Sequence, residues 1–372
     1  MPDHPLTSVG GGGVIVEAEG PLGVRGGWST VASLSTARRD LGAAEAGGLV
    51  YAIGGNDGDN ELASVEEYDP ETDTWSTVAS LSTARENLAA AGAGGLVYAI
   101  GGRDSDFNEL ASVEEYDPET DTWSTVASLS TARQRPAAAG AGGLVYAIGG
   151  QDSDADELAS VEEYDPETDT WSTVASLSTA RRDLGAAEAG GLVYAIGGQD
   201  SDADELASVE EYDPETDTWS TVASLSTARE FLAAAEAGGL VYAIGGRDSG
   251  GNPLTSVEEY DPETDTWSTV ESLSTARQRP AAAGAGGLVY AIAGQDLDFN
   301  ELASVEELTF QSFVDVYSAT GDTLFAIDDP NGTLLNRTTG GEVTGDSLIA
   351  RDGETIAAIT ETNARVYRTE ET

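Results

Sequence analysis

Arginines recur at a regular spacing in this sequence, and they are its clearest candidates for binding residues. The tetrapeptide Ser-Thr-Ala-Arg recurs along the chain, and its arginines are Arg38, Arg85, Arg133, Arg181, Arg229 and Arg277. In two copies the tetrapeptide is followed by Gln-Arg-Pro, which adds Arg135 and Arg279. The planar guanidinium fork binds carboxylates and phosphates through paired hydrogen bonds. These arginines are therefore the predicted binding residues for an acidic group.

A second interpretation of the Ser-Thr-Ala-Arg positions stays open at this point. Each guanidinium could instead pair with a carboxylate of an adjacent loop and serve only the fold. For Arg135 and Arg279 the following prolines, Pro136 and Pro280, restrict the backbone before them. We expect these two side chains to be preorganised for a carboxylate or phosphate.

Alternating carboxylates form the candidate metal sites. They are Asp152, Asp154 and Asp156 in one loop and Asp200, Asp202 and Asp204 in another. Hard cations such as calcium prefer several oxygen ligands, and the alternation is typical of the start of a calcium-binding loop. However, Glu157 stands where that loop needs a glycine in its sixth position. Calcium is kept as a candidate cofactor, and a solvated acidic loop is the alternative.

Catalytic residues are scarce. The chain has no cysteine, and its single histidine is His4, near the start of the sequence. A thiolate nucleophile, a catalytic triad and a histidine general base are thereby excluded. The sequence predicts a protein that is not an enzyme and that needs no cofactor other than the calcium considered above.

The elements that must position these residues are short strands in a repeated unit. Tryptophans recur at a period of about 48 residues, at Trp28, Trp75, Trp123, Trp171, Trp219 and Trp267. Each unit contains an Ala/Gly-rich run, an LVYAI run, a VEEYD run and a TWSTV run. Glycine pairs or an Asp-Pro-Glu-Thr turn separate several of these runs. Four short strands per unit at this spacing predict the blades of a β-propeller.

The unit resembles the kelch repeat. A double glycine closes the second strand at Gly54-Gly55, Gly101-Gly102, Gly149-Gly150, Gly197-Gly198 and Gly245-Gly246. Tyrosine and tryptophan then follow with six residues between them, at Tyr68/Trp75, Tyr116/Trp123, Tyr164/Trp171, Tyr212/Trp219 and Tyr260/Trp267. The sixth copy departs from the pattern, because it reads Ala293-Gly294 and loses the second motif. The resemblance implies a propeller whose loops commonly engage a partner.

The chain is predicted to form one all-β, kelch-type propeller of four-stranded antiparallel blades over residues 1–372. Residues 1–27 are interpreted as a degenerate N-terminal segment, residues 28–308 as near-identical repeats, and residues 309–372 as a divergent C-terminal blade. In this interpretation the strand at Trp28 completes the last blade and the ring has seven blades. The alternative is six blades with the C-terminal tail packed outside.

One face of the predicted disc holds nearly all the differences between copies. The connections after the second and fourth strands vary, whereas the AGG and YDPETDT turns of the other face are uniform. Loops on a rigid scaffold usually carry the binding groups. We therefore expect a non-catalytic binding or scaffold propeller that presents this Arg/Asp-rich face to a protein partner. The alternatives are a cation-dependent carbohydrate or small-ligand binder, and a structural repeat protein without a specific partner.

Charge restricts the partners. Asp and Glu number 67 against 17 basic residues, all of them arginine, and the formal net charge is −50. So negative a chain is a poor partner for nucleic acid. No apolar run suits a membrane span and no secretory signal is visible, so we expect a cytoplasmic, monomeric protein. The composition is typical of halophiles.

Stability is predicted to depend on salt. Like charges repel in the compact state, and near 1 M salt the Debye length falls to about 3 Å, which screens them. The midpoint of thermal unfolding should rise steadily from millimolar to molar NaCl, measured by circular dichroism. A midpoint that is insensitive to salt across that range would contradict the prediction.

Overall fold

The computed structural model describes residues 27–309 in full and, elsewhere, only the backbone of the strands named below. The chain divides into two compact units. One comprises Gly27–Leu308, and the other comprises Met1–Gly26 together with Thr309–Thr372. No helix of the described part has the length and apolar character needed to cross a membrane.

The first unit is a ring of six four-stranded antiparallel blades. The first, innermost strands are Gly42–Ala46, Ala89–Ala93, Ala137–Ala141, Gly185–Ala189, Ala233–Ala237 and Ala281–Ala285. The second strands are Leu49–Ile53, Leu96–Ile100, Leu144–Ile148, Leu192–Ile196, Leu240–Ile244 and Leu288–Ile292. The third strands are Val65–Asp69, Val113–Asp117, Val161–Asp165, Val209–Asp213, Val257–Asp261 and Val305–Tyr317. The fourth strands of blades 1 to 5 are Thr74–Val78, Thr122–Val126, Thr170–Val174, Thr218–Val222 and Thr266–Thr269.

Burial explains the composition of each strand. The second strand is covered on both faces, and Val50, Tyr51, Ala52 and Ile53 are all fully buried in blade 1. A strand without polar alternation is suited to that environment. The innermost strands crowd around the axis, where alanine and glycine leave room for the neighbouring blade. The fourth strand, on the outside, is made of half-buried and exposed residues.

Aromatic contacts join each blade to the next. In blade 1 the rings of Tyr68 and Trp75 lie 5.0 Å apart. The indole Nε1 of Trp75 donates a hydrogen bond to the carbonyl oxygen of Ala32, at 2.9 Å, in the connection that precedes the blade. Tyr51 of blade 1 contacts Tyr116 of blade 2 edge-on, at 5.5 Å. The tyrosine and tryptophan that mark the repeat in the sequence are therefore interface residues between blades.

The ring closes after six blades, so the predicted count of seven is wrong. The strand Val24–Val31, which contains Trp28, pairs with Val305–Tyr317 and is the fourth strand of blade 6. Its Trp28 Nε1 donates to the carbonyl oxygen of Glu271 at 2.9 Å, as each other repeat tryptophan does to its preceding connection. Tyr290 of blade 6 contacts Tyr68 of blade 1 at 5.4 Å. Because Trp28 completes the sixth blade, the ring has no incomplete blade for residues 309–372 to fill.

The second unit consists of short antiparallel pairings. Its strands, besides the distal part of Val305–Tyr317, are Ile15–Glu17, Thr323–Asp329, Thr333–Leu335, Thr355–Thr360 and Asn363–Arg368. Ile15–Glu17 and Thr323–Asp329 both pair with Val305–Tyr317, and the last two strands pair with each other. The interpretation of residues 1–27 as a degenerate segment falls mainly outside the described residues.

The tightness of the ring can be tested at Gly92 on the innermost strand of blade 2. A Cβ at this position would overlap the carbonyl oxygen of Glu45 in blade 1. We expect Gly92→Ala to lower the free energy of unfolding by about 1–3 kcal/mol, because backbone must shift. Gly27→Ala is the matched control, since its Cβ would meet only the Glu271 side chain at 3.8 Å. Equal midpoints of chemical denaturation for the two variants would contradict the close packing.

Candidate functional site

The two variable sets of loops lie together on one face of the ring and are joined in each blade. The residue after each Ser-Thr-Ala-Arg pairs by a short antiparallel bridge with the first residue of the second-to-third loop, as in Arg39–Asn56 and Glu86–Arg103. Backbone hydrogen bonds of 3.0 and 2.8 Å connect Arg39 and Asn56 in both directions. The face is thus built on an ordered backbone.

The Ser-Thr-Ala-Arg arginines lie beneath this face and are fully buried. In blade 3, Arg133 Nη1 donates to the carbonyl oxygens of Gly149 and Ser160 at 2.8 and 3.1 Å. Its Nη2 donates to Ser160 Oγ at 3.2 Å and to Glu162 Oε1 at 2.6 Å. The same ion pair recurs as Arg38–Glu66, Arg85–Glu114, Arg181–Glu210, Arg229–Glu258 and Arg277–Glu306. Each guanidinium thus pairs with a carboxylate that lies on the third strand of its own blade, not on an adjacent loop as the second interpretation expected.

Each of these carboxylates also holds the loop before its arginine. Glu162 Oε2 accepts a hydrogen bond from the backbone N–H of Ser130 at 2.7 Å. Burial lowers the pKa of Arg133, and the charge of Glu162 opposes that change. An ion pair without water needs such further hydrogen bonds to offset desolvation. The pair anchors the fourth-to-first connection to the third strand of its own blade.

A closed ring of backbone hydrogen bonds lies two residues further along the chain. Its members, here called the mouth ring, are Asp40, Asn87, Arg135, Asp183, Phe231 and Arg279. Each N–H donates to the carbonyl oxygen of the preceding blade's member, over 2.8 to 3.3 Å, and Asp40 to Arg279 completes the circle. Every member has a left-handed backbone, with φ between 53° and 56°. Neighbouring blades and the hydrogen bonds of the ring thus impose on Arg135 and Arg279 an uncommon conformation, which differs from the extended one that a following proline favours.

Four members of the mouth ring are charged, and each arginine pairs with the aspartate of the next blade. Arg279 Nη1 lies 3.0 Å from Asp40 Oδ2, and Arg135 Nη1 lies 3.4 Å from Asp183 Oδ2. Arg182 also pairs with Asp183, at 2.9 Å. Burial raises the pKa of Asp183 to about 6, although Arg135 and Arg182 act in the opposite direction. The Asp183 carboxylate is contacted by two guanidiniums.

Phe231 is a member of the mouth ring that the sequence analysis did not single out. The guanidinium carbons of Arg279, Arg247 and Arg135 lie 4.3, 4.8 and 5.8 Å from the centre of its ring. Cations over an aromatic face are attracted by the ring quadrupole. The signal was present in the sequence, because STAREFL is the one copy with an aromatic residue two places after the arginine. Three arginines therefore converge on this one side chain.

Beneath the mouth ring the innermost strands surround a cavity of about 190 Å³. Its walls are mainly alanine and glycine, and Glu45, Glu188 and Glu236 contribute to the lining. The other three copies have glycine at the equivalent position. In each glutamate, Oε1 accepts the N–H of a glycine in the hairpin turn at 2.7 Å. These carboxylates are therefore engaged with the turns of the uniform face.

The predicted calcium loops have their first aspartate engaged with backbone. Asp152 Oδ1 accepts the N–H groups of Asp154 and Asp156 at 3.0 and 3.1 Å. The loop at Asp200, Asp202 and Asp204 repeats this arrangement. Among the described residues, no group of three or more acidic, histidine or cysteine side chains is arranged to hold a metal ion. Calcium binding by these loops stays a prediction.

Comparison with known proteins agrees with this architecture. The family model for the kelch repeats of KLHDC2, KLHL20 and DRC7 matches residues 137–313, and the kelch motif matches residues 37–82 and 84–130. Together these matches cover well over half of the chain, and the chain belongs to the kelch-repeat β-propeller family.

Two individual proteins show how far the similarity extends. An F-box/kelch-repeat protein of Arabidopsis thaliana is 52% identical over 48 residues, which is 13% of this chain and 13% of that protein. The solved structure of YjhT superimposes with a TM-score of 0.66 and 15% identity, covering 77% of this chain and 99% of that one. The first similarity spans about one repeat, and the second shows the fold alone.

Replacing one buried arginine tests its structural role. We expect Arg133→Ala to lower the free energy of unfolding by about 3–5 kcal/mol, because it leaves Glu162 buried without its cation. The control is Arg135→Asn, in which Asp183 keeps Arg182 and the loss should be smaller than for Arg133→Ala. Urea denaturation of both variants measures the difference. Similar decreases in the free energy of unfolding for the two variants would contradict an anchoring role for Arg133.

Proposed function

We propose that this protein is a non-catalytic binding or scaffold propeller that presents its variable loop face to a protein partner. One observation carries the proposal. Copies that are almost identical in their strands and in the turns of one face differ in the loops of the other face. A difference confined to one surface of a rigid frame suits recognition, since it alters contacts and leaves packing unchanged.

The mouth ring supplies groups that could bind a partner. Arg135 and Arg279 retain about a fifth of their side-chain exposure, at 21% and 22%. Their Nε atoms are buried and have no hydrogen-bond partner among the described residues, so a partner would meet the exposed parts of these side chains. A carboxylate approaching Phe231 would meet both guanidiniums, and charge-assisted hydrogen bonds are the strong ones. The proposed partner therefore places an acidic group at the mouth ring.

The family supports the same class of function. Kelch propellers are commonly used for protein binding or scaffolding, and some are enzymes. In this chain the absence of cysteine and the single His4 leave few groups for nucleophilic or general-base chemistry. The residues of this chain are therefore better suited to binding than to catalysis.

Partner capture with a double variant tests the proposal. Arg135→Asn/Arg279→Asn removes both guanidiniums, and asparagine is suited to the site because Asn87 occupies the equivalent position at φ 53°. Wild type should retain partners from a lysate of the source organism in molar salt, quantified by mass spectrometry. The double variant should lose them, since each lost charged hydrogen bond is worth about 1.5–3 kcal/mol.

The matched control carries changes on the uniform face. Glu71→Gln/Glu119→Gln also alters two exposed charged residues, on the Asp-Pro-Glu-Thr turns, and should capture the same partners as wild type. Recovery of identical partners by the Arg135/Arg279 variant would refute a role for the mouth ring. Recovery of none by wild type would refute partner binding and favour a purely structural repeat.

A further inference from the structure

Three large apolar side chains stand exposed at the rim of the variable face. Phe107, Leu297 and Phe299 are 65%, 60% and 66% exposed, and they are the exposed large hydrophobic residues of the described part of the chain. Phe107 lies on the second-to-third loop of blade 2, and the other two lie on that of blade 6. Blades 2 and 6 are the two neighbours of blade 1, so these side chains flank a single blade.

The fold does not require these side chains. Phe107 and Phe299 have φ of 64° and 62°, a conformation that bulky residues rarely adopt. At the equivalent position the next three blades have Ala155, Ala203 and Gly251, also at positive φ. The loop is shaped instead by its first aspartate: Asp104 Oδ1 accepts the N–H groups of Asp106 and Asn108 at 3.0 and 2.9 Å. The same loop therefore forms with alanine or glycine at this position, and its shape does not depend on phenylalanine.

Polar contacts join the loops of blades 6, 1 and 2 into one surface. Arg39 of blade 1 pairs with Glu301 of blade 6. Asn56 Nδ2 donates to Glu86 Oε2 of blade 2 at 2.9 Å, and Glu86 also pairs with Arg103. We call residues 56–61, 103–109 and 295–301 the three-blade surface. Its blade-1 loop is one residue shorter than the loops beside it, between Asn56 and Glu61.

The three-blade surface is acidic between its apolar groups. Exposed Asp59, Asp106 and Asp298 stand at the tips of its loops, and the last two adjoin the exposed apolar residues in sequence. Across the three loops carboxylates outnumber the single guanidinium of Arg103 by nine to one. Aromatic faces attract cations, as Arg103 over Phe107 at 4.9 Å already shows. Both the carboxylates and the exposed rings would therefore stabilise a positively charged partner.

We propose that the three-blade surface binds a protein segment in which arginine or lysine residues alternate with large apolar residues. The apolar side chains cover Phe107, Leu297 and Phe299, and the cations pair with Asp59, Asp106 and Asp298. This inference rests on the proposed function, and it names the chemistry of a second contact on the same face. An uncharged apolar segment would leave the carboxylates desolvated without partners, so it fits less well.

A peptide-binding experiment tests the proposal. The probe is a short fluorescein-labelled peptide of alternating arginine and leucine, followed by fluorescence anisotropy at moderate salt. The variant Phe107→Ala/Leu297→Ser/Phe299→Ala gives these loops the residues of blades 3 and 4, at Ser153, Ala155, Ser201 and Ala203. We expect wild type to bind the probe and the variant to bind it at least about tenfold more weakly, with an unchanged melting temperature.

Controls separate this site from general attraction to an acidic protein. Asp154→Asn/Asp202→Asn removes exposed charge from blades 3 and 4 and should leave probe binding unchanged. A probe with serine in place of leucine should bind weakly, and one with glutamate in place of arginine should not bind. Equal binding of the serine probe, or equal weakening by the aspartate variant, would overturn the proposal, as would no binding by wild type.

The Arg135→Asn/Arg279→Asn variant distinguishes the two proposals. It should bind the arginine–leucine probe as wild type does, because both substitutions lie outside the three-blade surface. Loss of probe binding in this variant would overturn the independent second contact. If wild type does not bind the probe but its partner capture depends on Arg135 and Arg279, this inference is overturned and the proposed function stands.

Discussion

The buried arginine–glutamate pair is the interaction on which the variable face depends. It occurs once in each blade, and both side chains are almost wholly removed from water, as in Arg133 and Glu162. The guanidinium reaches the end of the second strand and the start of the third, while the carboxylate reaches the connection before the arginine. Since one pair bridges both loops of the face, their backbone is fixed independently of the side chains that point outward.

That independence lets identical backbones carry different chemistry. The mouth ring has one φ value, within a few degrees, for aspartate, asparagine, arginine and phenylalanine alike. Side chains such as Phe231 and Arg279 can therefore change between blades without a change in the ring that carries them. The same holds at the rim, where Phe107 and Ala155 share φ of 64°. A repeat scaffold of this kind separates the residues that fold from the residues that recognise.

Much of the fold could be predicted from the sequence. The period, the four strands and the kelch resemblance follow from Trp75 and its copies, because interface residues recur with the blade. The count of six did not follow, because the strand at Trp28 was expected to complete a seventh blade built from residues 309–372, whereas Val24–Val31 pairs with Val305–Tyr317 and completes the sixth. Nor could the sequence show that Arg133 is buried while Arg135, two residues later, is not. Burial depends on neighbours from other strands.

Charge is distributed unevenly over the variable face, and the two proposed contacts would therefore favour groups of opposite charge. At the mouth ring Asp40 and Asp183 are matched by Arg279 and Arg135, so the centre is close to neutral within a molecule of net charge −50. An acidic group can approach there with little local repulsion, provided salt screens the rim. At the three-blade surface the carboxylates exceed the cations, and an acidic group would be repelled. A single partner that meets both parts must therefore present its acidic group to the centre and its basic, apolar segment to blades 6, 1 and 2.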